Sequence, residues 1–368
     1  MRKLGITVLL LLGLIALLAV LACEGDTGLQ GPKGSEGEPG EDAEIGIPAD
    51  MVFSLAVFNG TELDHNGANL ITLTFDSTAS SSSTVVVANR VDAPPVIDGI
   101  DDGTSAWGSK SSTLTLTGQA YADNFIDKAF VRAAYDDNNV YFLVRWTEED
   151  EGDFEVGIND SHLDWVLGVV DTLGNTDMIL DHQYEDRLGL LFYNGKSQMS
   201  LWKSLGCMVA CHALDDDPNM QSLSGTMNID VWEWGAYRSE ALGIALDRAI
   251  TTRGFADDAG IPPYFRNFQS IDRIVDEEAF VDSMPIYMHT LQAGNPSYIP
   301  GAPLWDYLIV PFDEEMVWNQ NSFIPGWVLQ TPSEGNDLIK AKGEYHNGTW
   351  TVEFSRCRRT SDPYDTDF

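Results

Sequence analysis

Val131-Arg132-Ala133-Ala134-Tyr135-Asp136-Asp137-Asn138-Asn139-Val140-Tyr141-Phe142-Leu143-Val144-Arg145-Trp146 places two apolar runs on either side of an Asp/Asn cluster. That is the pattern of a β-hairpin closed by a polar turn. Further along, Arg187-Leu188-Gly189-Leu190-Leu191-Phe192 and Trp350-Thr351-Val352-Glu353-Phe354 read as strands, and Leu114-Thr115-Leu116-Thr117 alternates upstream. Helical periodicity is rare, with Ser239 to Ile250 its best candidate. The expected fold class is therefore mainly β: an antiparallel β-sandwich with long loops.

Toward the N-terminus, Val52 to Phe58 runs into the turn signal Asn59-Gly60, and two further apolar runs flank a Ser/Thr/Ala loop. Residues 51–91 are expected to form a small β lead-in region. Asp92-Ala93-Pro94-Pro95 closes it and opens the main domain, 92–368. Before the lead-in, Gly25, Gly28, Gly31, Gly34, Gly37 and Gly40 recur at every third position, with Pro32 and Pro39 between them. This 23–50 segment resembles a short collagen-like tract. Its richness in Asp and Glu favours a solvated spacer over a trimeric stalk.

Met1-Arg2-Lys3 followed by apolar Leu4 to Ala22 has the form of a signal peptide over residues 1–22. Val20-Leu21-Ala22-Cys23 resembles the lipobox of bacterial lipoproteins, which implies cleavage before Cys23 and its acylation. The alternative is an uncleaved anchor, since the run is long enough to span a bilayer. Either reading puts the remaining chain on the outer side.

The chain has 368 residues, 43% of them hydrophobic, with ten Trp, twelve Tyr and sixteen Phe, enough to bury a sizeable core. The formal charge of -36 repels phosphate backbones and excludes nucleic acid as a partner. Four cysteines do not make a disulfide framework, so each needs its own account. No nucleophile elbow, phosphate loop, dinucleotide fingerprint or His-Glu-x-x-His is present, so catalysis by this chain is not expected. An electron carrier needs only a cofactor, a path and a docking face, and an acidic surface suits a basic redox partner.

Gly206-Cys207-Met208-Val209-Ala210-Cys211-His212 carries the chemistry. In c-type cytochromes two cysteine thiols add to the porphyrin vinyls, and the histidine that follows ligates iron. Here the spacer is one residue longer than the usual two. Positions four apart on a helical turn differ by only about 40° around the axis, so both sulfurs can face one plate. The expected cofactor is one covalent haem c on Cys207, Cys211 and His212. A non-covalent haem b, a Cys207–Cys211 disulfide and a metal site are the alternatives. The disulfide leaves His212 unexplained, and zinc would want more than the six histidines of the chain offer nearby. Trp232 and Trp234 alternate in Asp230-Val231-Trp232-Glu233-Trp234 and share one strand face, either as core or against the haem edge.

Ile97-Asp98-Gly99 leading to Trp107 resembles the opening of two sandwich families. One is the family-9 carbohydrate-binding modules. The other is the haem-binding domain of the gamma subunits of ethylbenzene and dimethylsulfide dehydrogenases and of cytochrome c-552-like proteins. The second likeness continues in order through Tyr135-Asp136, Val140 to Trp146, Glu185-Asp186-Arg187-Leu188, Cys207 to His212, Asp230 to Trp234, and Lys342-Gly343 to Arg356, covering residues 92 to 368.

That resemblance implies haem binding, with Met220 as the sixth iron ligand and Met199, Met227, His182 and His289 as alternatives. Lys342 or Lys340 would matter only if the haem were non-covalent. It further implies a redox partner, a molybdenum oxidoreductase or another cytochrome. Family members continue for another strand or two, so the domain is expected to be cut short at Phe368. Cys357 stands where the family tends to have proline and is expected to be an unpaired thiol. The first likeness implies instead a surface-anchored sugar-binding module with exposed tryptophans in a groove and Cys207–Cys211 as a disulfide.

Overall fold

The computed structural model describes residues 49–58, 65–118, 128–147, 164–170, 176–180, 186–194, 199–206, 210, 221–222, 228–257, 263–275, 278–295, 303–313, 315–316, 318, 322–332, 339–360 and 362–368. The expected signal peptide, Cys23 and nearly all of the collagen-like tract lie outside them. No helix among the described residues is long and apolar enough to cross a membrane.

In chain order the strands are β1 Met51–Phe58, β2 His65–Thr74, β3 Val85–Arg90, β4 Ser112–Thr115, β5 Thr117–Gly118, β6 Lys128–Tyr135, β7 Asn139–Thr147, β8 Asp164–Val170, β9 Thr176–Leu180, β10 Arg187–Tyr193 and β11 Ile229–Gly235. They continue as β12 Leu246–Thr251, β13 Gly254–Asp257, β14 Tyr264–Arg266, β15 Gln269–Val275, β16 Glu278–Met284, β17 Tyr287–His289, β18 Ile309–Pro311, β19 Ser322–Pro325, β20 Trp327–Leu329, β21 Lys340–His346 and β22 Thr349–Cys357. Two short α-helices, α1 (Thr104–Trp107) and α2 (Met199–Leu205), complete the set used below.

The hairpin is β6 and β7, paired antiparallel from Tyr135↔Val140 to Phe130↔Arg145. Asp136 closes it: its Oδ1 accepts from the backbone N–H of Asn138 and Asn139 (2.7 Å each), and its Oδ2 accepts from the Tyr141 hydroxyl at 2.6 Å. A short acidic side chain satisfying the turn's own backbone is why this cluster ends one strand and starts the next. Val131, Ala133 and Tyr135 face Phe142, Val144 and Trp146 on the core side, while Ala134, Tyr141 and Leu143 pack under Trp107 of α1.

The hairpin belongs to a 13-stranded sheet whose main path runs β13-β12-β11-β10-β1-β2-β3-β6-β7-β22-β21. This one sheet curls until its halves face each other. Phe142 of β7 lies 5.7 Å from both Phe192 of β10 and Trp232 of β11, and Trp350 of β22 lies 5.0 Å from Trp234. The mainly β expectation holds, with one correction: the sheet is mixed, since β2/β3 and β3/β6 pair in parallel. Apolar alternation marks a strand and its buried face but carries no information on the direction of its neighbour.

β1 to β3 are inserted between β10 and β6 of the same sheet, so the strands of the 51–91 region share the main core. A turn signal ends a strand without saying which sheet it joins. Ser239 to Ile250 is not a helix: a 3-10 turn over Glu240–Leu242 stops at Gly243 (φ 70) and β12 follows, paired with β11.

Between β13 and β21 the chain builds small two- and three-stranded sheets, β14/β20, β15/β16, β17/β18 and β19/β8/β9. After β22 the chain folds back so that Phe368 packs among Phe192, Trp232 and Phe142. Arg356 is fully buried there, donating to Asp230 Oδ2 at 2.8 Å.

Candidate functional site

Cys207, Cys211, His212 and Met220 lie outside the described residues, but the residues that frame them do not. α2 leads into the motif and is pinned by Trp202, whose indole N–H donates to the Val52 carbonyl (3.1 Å) and whose ring stacks on Tyr193 at 5.7 Å. Gly206 turns the chain with φ 59, a left-handed conformation that glycine adopts without cost. Ala210, the residue before Cys211, is 1% exposed and sits among Ala56, Leu191, Tyr193, Trp202, Ile229 and Val231. Its carbonyl accepts from the Gln221 N–H (3.2 Å), and Ser222 N–H donates to the Thr251 carbonyl (3.0 Å). The chain thus leaves the described structure after Ala210 and re-enters it at a residue hydrogen-bonded to Ala210.

These contacts lie on the outer face of β10, β11 and β12. Along β11, Ile229 and Val231 point to this face, while Trp232 and Trp234 point into the sandwich. One residue further along the same outer face the chemistry reverses. Glu233 is reached by Arg238 at 3.1 Å, Arg248 at 3.2 Å and Arg187 at 3.7 Å. Burial alone would raise the Glu233 carboxyl, but Arg248, Arg238 and Arg187 outweigh it and hold it near about 2. Arg238 also lies over the Tyr264 and Trp327 rings, and Arg248 over Phe255. The face therefore grades from an apolar end beside Ala210 to a guanidinium-rich end around Glu233.

Trp232 and Trp234 do share a face, as strand spacing requires, and that face is the interior. Trp232 is walled by Phe142, Phe192, Phe354 and Phe368. Trp234 packs on Trp146 and Trp350, and its N–H donates to Glu240 Oε2 (2.9 Å). The sheet separates both rings from Ala210. Lys342 is ion-paired with Glu240, and Gly343 N–H donates to the same carboxylate. Gly343 has no side chain because a Cβ there would stand 2.3 Å from the Trp234 ring. Of the alternative iron ligands, His289 is described: its Nδ1 accepts from Leu291 N–H (3.0 Å) and caps a 3-10 turn.

The Ile97-Asp98-Gly99 opening resolves into a carboxylate clamp. Glu353 Oε2 accepts from the N–H groups of Asp98 and Gly99, both at 2.9 Å. Gly99 (φ +83) lies so close to β21 that a Cβ would meet the Glu344 N at 2.9 Å. Asp101 then pairs with Arg132 (3.4 Å) and Arg145 (3.3 Å). Beside it is a cleft of about 670 Å³ whose lining includes Ile100, Arg145, Glu344, His346 and Thr351, with no Trp, Tyr or Phe among the described residues. Trp107 is fully buried, as are Trp146, Trp202, Trp232, Trp234 and Trp350. This cleft is therefore not the tryptophan-lined groove expected of a sugar-binding module.

Burial pushes the Glu353 carboxyl up to about 7 from 4.5. A carboxyl raised in this way favours the folded state fully below its unfolded value and loses that contribution as pH rises through the folded value. Glu353→Gln keeps one acceptor oxygen for the two N–H groups and removes the charge. It is expected to match or exceed the natural chain at about pH 8, by on the order of 1–2 kcal/mol, and to flatten the decline between pH 4.5 and about 7. Urea midpoints measured across that range check this; coincident pH profiles for the two proteins would refute it.

Two charged clusters escaped the sequence reading: the arginines around Glu233, and Asp230 with Arg356. The signal was available. Ile229-Asp230-Val231-Trp232-Glu233-Trp234 sets two acids into an otherwise apolar run, and acids on a buried strand need partners. Which partners could not be read, because Arg356 lies 126 residues away from Asp230. Cys357 is exposed and free, as expected of an unpaired thiol.

Against known proteins, a family model described as Ethylbenzene dehydrogenase matches residues 104–368. No curated protein matches the chain.

Proposed function

Because the chain belongs to the ethylbenzene dehydrogenase family, a family of redox proteins, we propose that it is an exported, lipid-anchored electron carrier holding one haem c. The observation that carries the reading is Cys207-Met208-Val209-Ala210-Cys211-His212, with its alanine buried against the apolar outer face of β10 and β11. Cys207 and Cys211 supply the thiols for two thioether bonds, and His212 a neutral imidazole for iron. The haem supplies one-electron chemistry; the chain's residues bind, orient and shield it.

The donor set and the surroundings fit such a group. Tyr193, Trp202, Ile229, Val231 and Ile250 offer a water-poor wall of the kind that sets a redox potential. Gln221, bonded to Ala210, returns the chain directly after Met220, which is the proposed sixth ligand. Cys23 is the proposed site of acylation, holding the domain outside the membrane on residues 23–50. The electron partner is a more basic protein, a molybdenum oxidoreductase or another cytochrome, drawn by the surplus of 57 acidic over 21 basic residues.

The test is expression of the whole chain in cells equipped for cytochrome maturation, followed by a haem stain after denaturing electrophoresis. A stained band is expected, lost in Cys207→Ala with Cys211→Ala. His212→Ala is expected to abolish the low-spin visible spectrum of the native protein. A natural chain that carries no haem, or a spectrum that survives loss of His212, overturns the proposal.

A further inference from the structure

Asp230, Asp247 and Asp365 come together inside the sandwich, each offering a carboxylate oxygen within 4.8 Å of the other two. They are 0%, 3% and 5% exposed. Asp230 comes from β11, Asp247 from β12 opposite Trp232, and Asp365 from the segment that folds back after β22. Among the described residues, the guanidinium that faces Asp230 and Asp365 is Arg356, 2.8 Å from the first and 3.6 Å from the second.

Arg356 does not complete the cluster. Asp230 spends Oδ2 on Arg356 and on the N–H of Thr366 (2.7 Å), while its Oδ1 is buried and accepts no hydrogen bond. The Thr366 hydroxyl is buried without a partner as well, and the nearest counter-charge to Asp365 is the 3.6 Å contact with Arg356. Asp230 and Asp365 share this one guanidinium, and negative charge left uncompensated in a buried interior costs several kcal/mol. Burial accordingly pushes Asp230 up to about 6, and Asp365 upward too.

We infer that Asp230 Oδ1, Asp247 and Asp365 form a binding site for one hard divalent cation of the calcium type. Oxygen-only ligands select such ions over zinc or copper. Calcium–oxygen distances of about 2.3–2.6 Å let oxygens across one ion stand up to about 5 Å apart, which spans the spacing seen. Asp230 bridges, one oxygen to Arg356 and the other to the ion. The ion ties β11 and β12 to the segment after β22, so it is structural and independent of the haem proposal.

The whole chain, stripped with chelator, is titrated with CaCl2 and with TbCl3, following melting temperature and Tb3+ emission excited through tryptophan; Trp232 lies beside Asp247 in register. Calcium at about 100 times its Kd is expected to raise Tm by several degrees. Tb3+ emission is expected to saturate at one site and to be displaced by calcium. Asp247→Asn and Asp365→Asn should each weaken binding at least tenfold. A chain this acidic also binds cations loosely on its surface. A titration unchanged in both variants would therefore overturn the inference, and so would a natural chain whose Tm and Tb3+ emission do not respond. Should a variant fail to fold, the one-site Tb3+ titration of the natural chain decides alone.

Discussion

Replacing Arg356 with methionine is expected to lower stability by about 3–5 kcal/mol, the cost of leaving a buried acid without its partner. The guanidinium is wholly enclosed: it donates to Asp230 and to the Thr366 carbonyl, and lies over the Trp232 ring with its carbon 4.9 Å from the centroid. Methionine fills most of the volume but returns none of the charge. In chelator, where no cation can stand in, urea unfolding should show a lower midpoint at unchanged m. The sign of the pH response follows from Asp230, which is already pushed up to about 6 with Arg356 in place. Without Arg356 its proton is held more tightly still. The deficit is thus largest at about pH 8 and shrinks as pH falls and the carboxyl is neutralised. Asp230→Asn in the same chain should recover part of it, because each change removes half of one interaction. A deficit under about 1 kcal/mol, or one equal at both pH values, would mean that water reaches the cluster.

How far the sequence foretold this depends on the range of the interaction. The β6/β7 hairpin was legible because its signal is local: Asp136 closes the turn with contacts two to five residues away. The β character of β10, β11 and β22 was legible from apolar runs alone. The parallel pairing of β3 was not, since Ala88↔Ala133 is set by where the curled sheet places its neighbours. Ser239 to Ile250 misled because Leu246 and Ile250 are spaced for a helix as well as for a strand, and pairing with β11 decided between them. Gly99 and Gly343 could be noticed as glycines but not explained. Each answers to one contact across the fold, with the Glu344 backbone and with the Trp234 ring. Of the candidate site, the motif Cys207 to His212 was fully legible as chemistry. The face that Ala210 joins was not, because odd and even positions of β11 read alike when both sides of a strand are buried.

That ambiguity makes Trp232 the residue whose removal says most. Its indole fills the space between Phe142, Phe192, Phe354 and Phe368, with centroids 5.7, 5.0, 6.4 and 5.7 Å away. Trp232→Ala would leave a cavity that a sheet paired on both sides cannot close. The expected loss is about 3–5 kcal/mol, and Trp232→Phe, which keeps a ring, should lose markedly less. Core and cofactor wall would respond to the milder change in different ways. If Trp232 is core alone, Trp232→Phe lowers the urea midpoint while the haem content and visible spectrum of the folded protein stay as they were. If the ring touched the haem, the spectrum or the midpoint potential would move with the stability. The placement of Ala210 on the opposite face of β10 and β11 leads us to expect the first result. A shifted Soret band in Trp232→Phe, at full haem occupancy, would place the cofactor inside the sandwich and reassign the outer face.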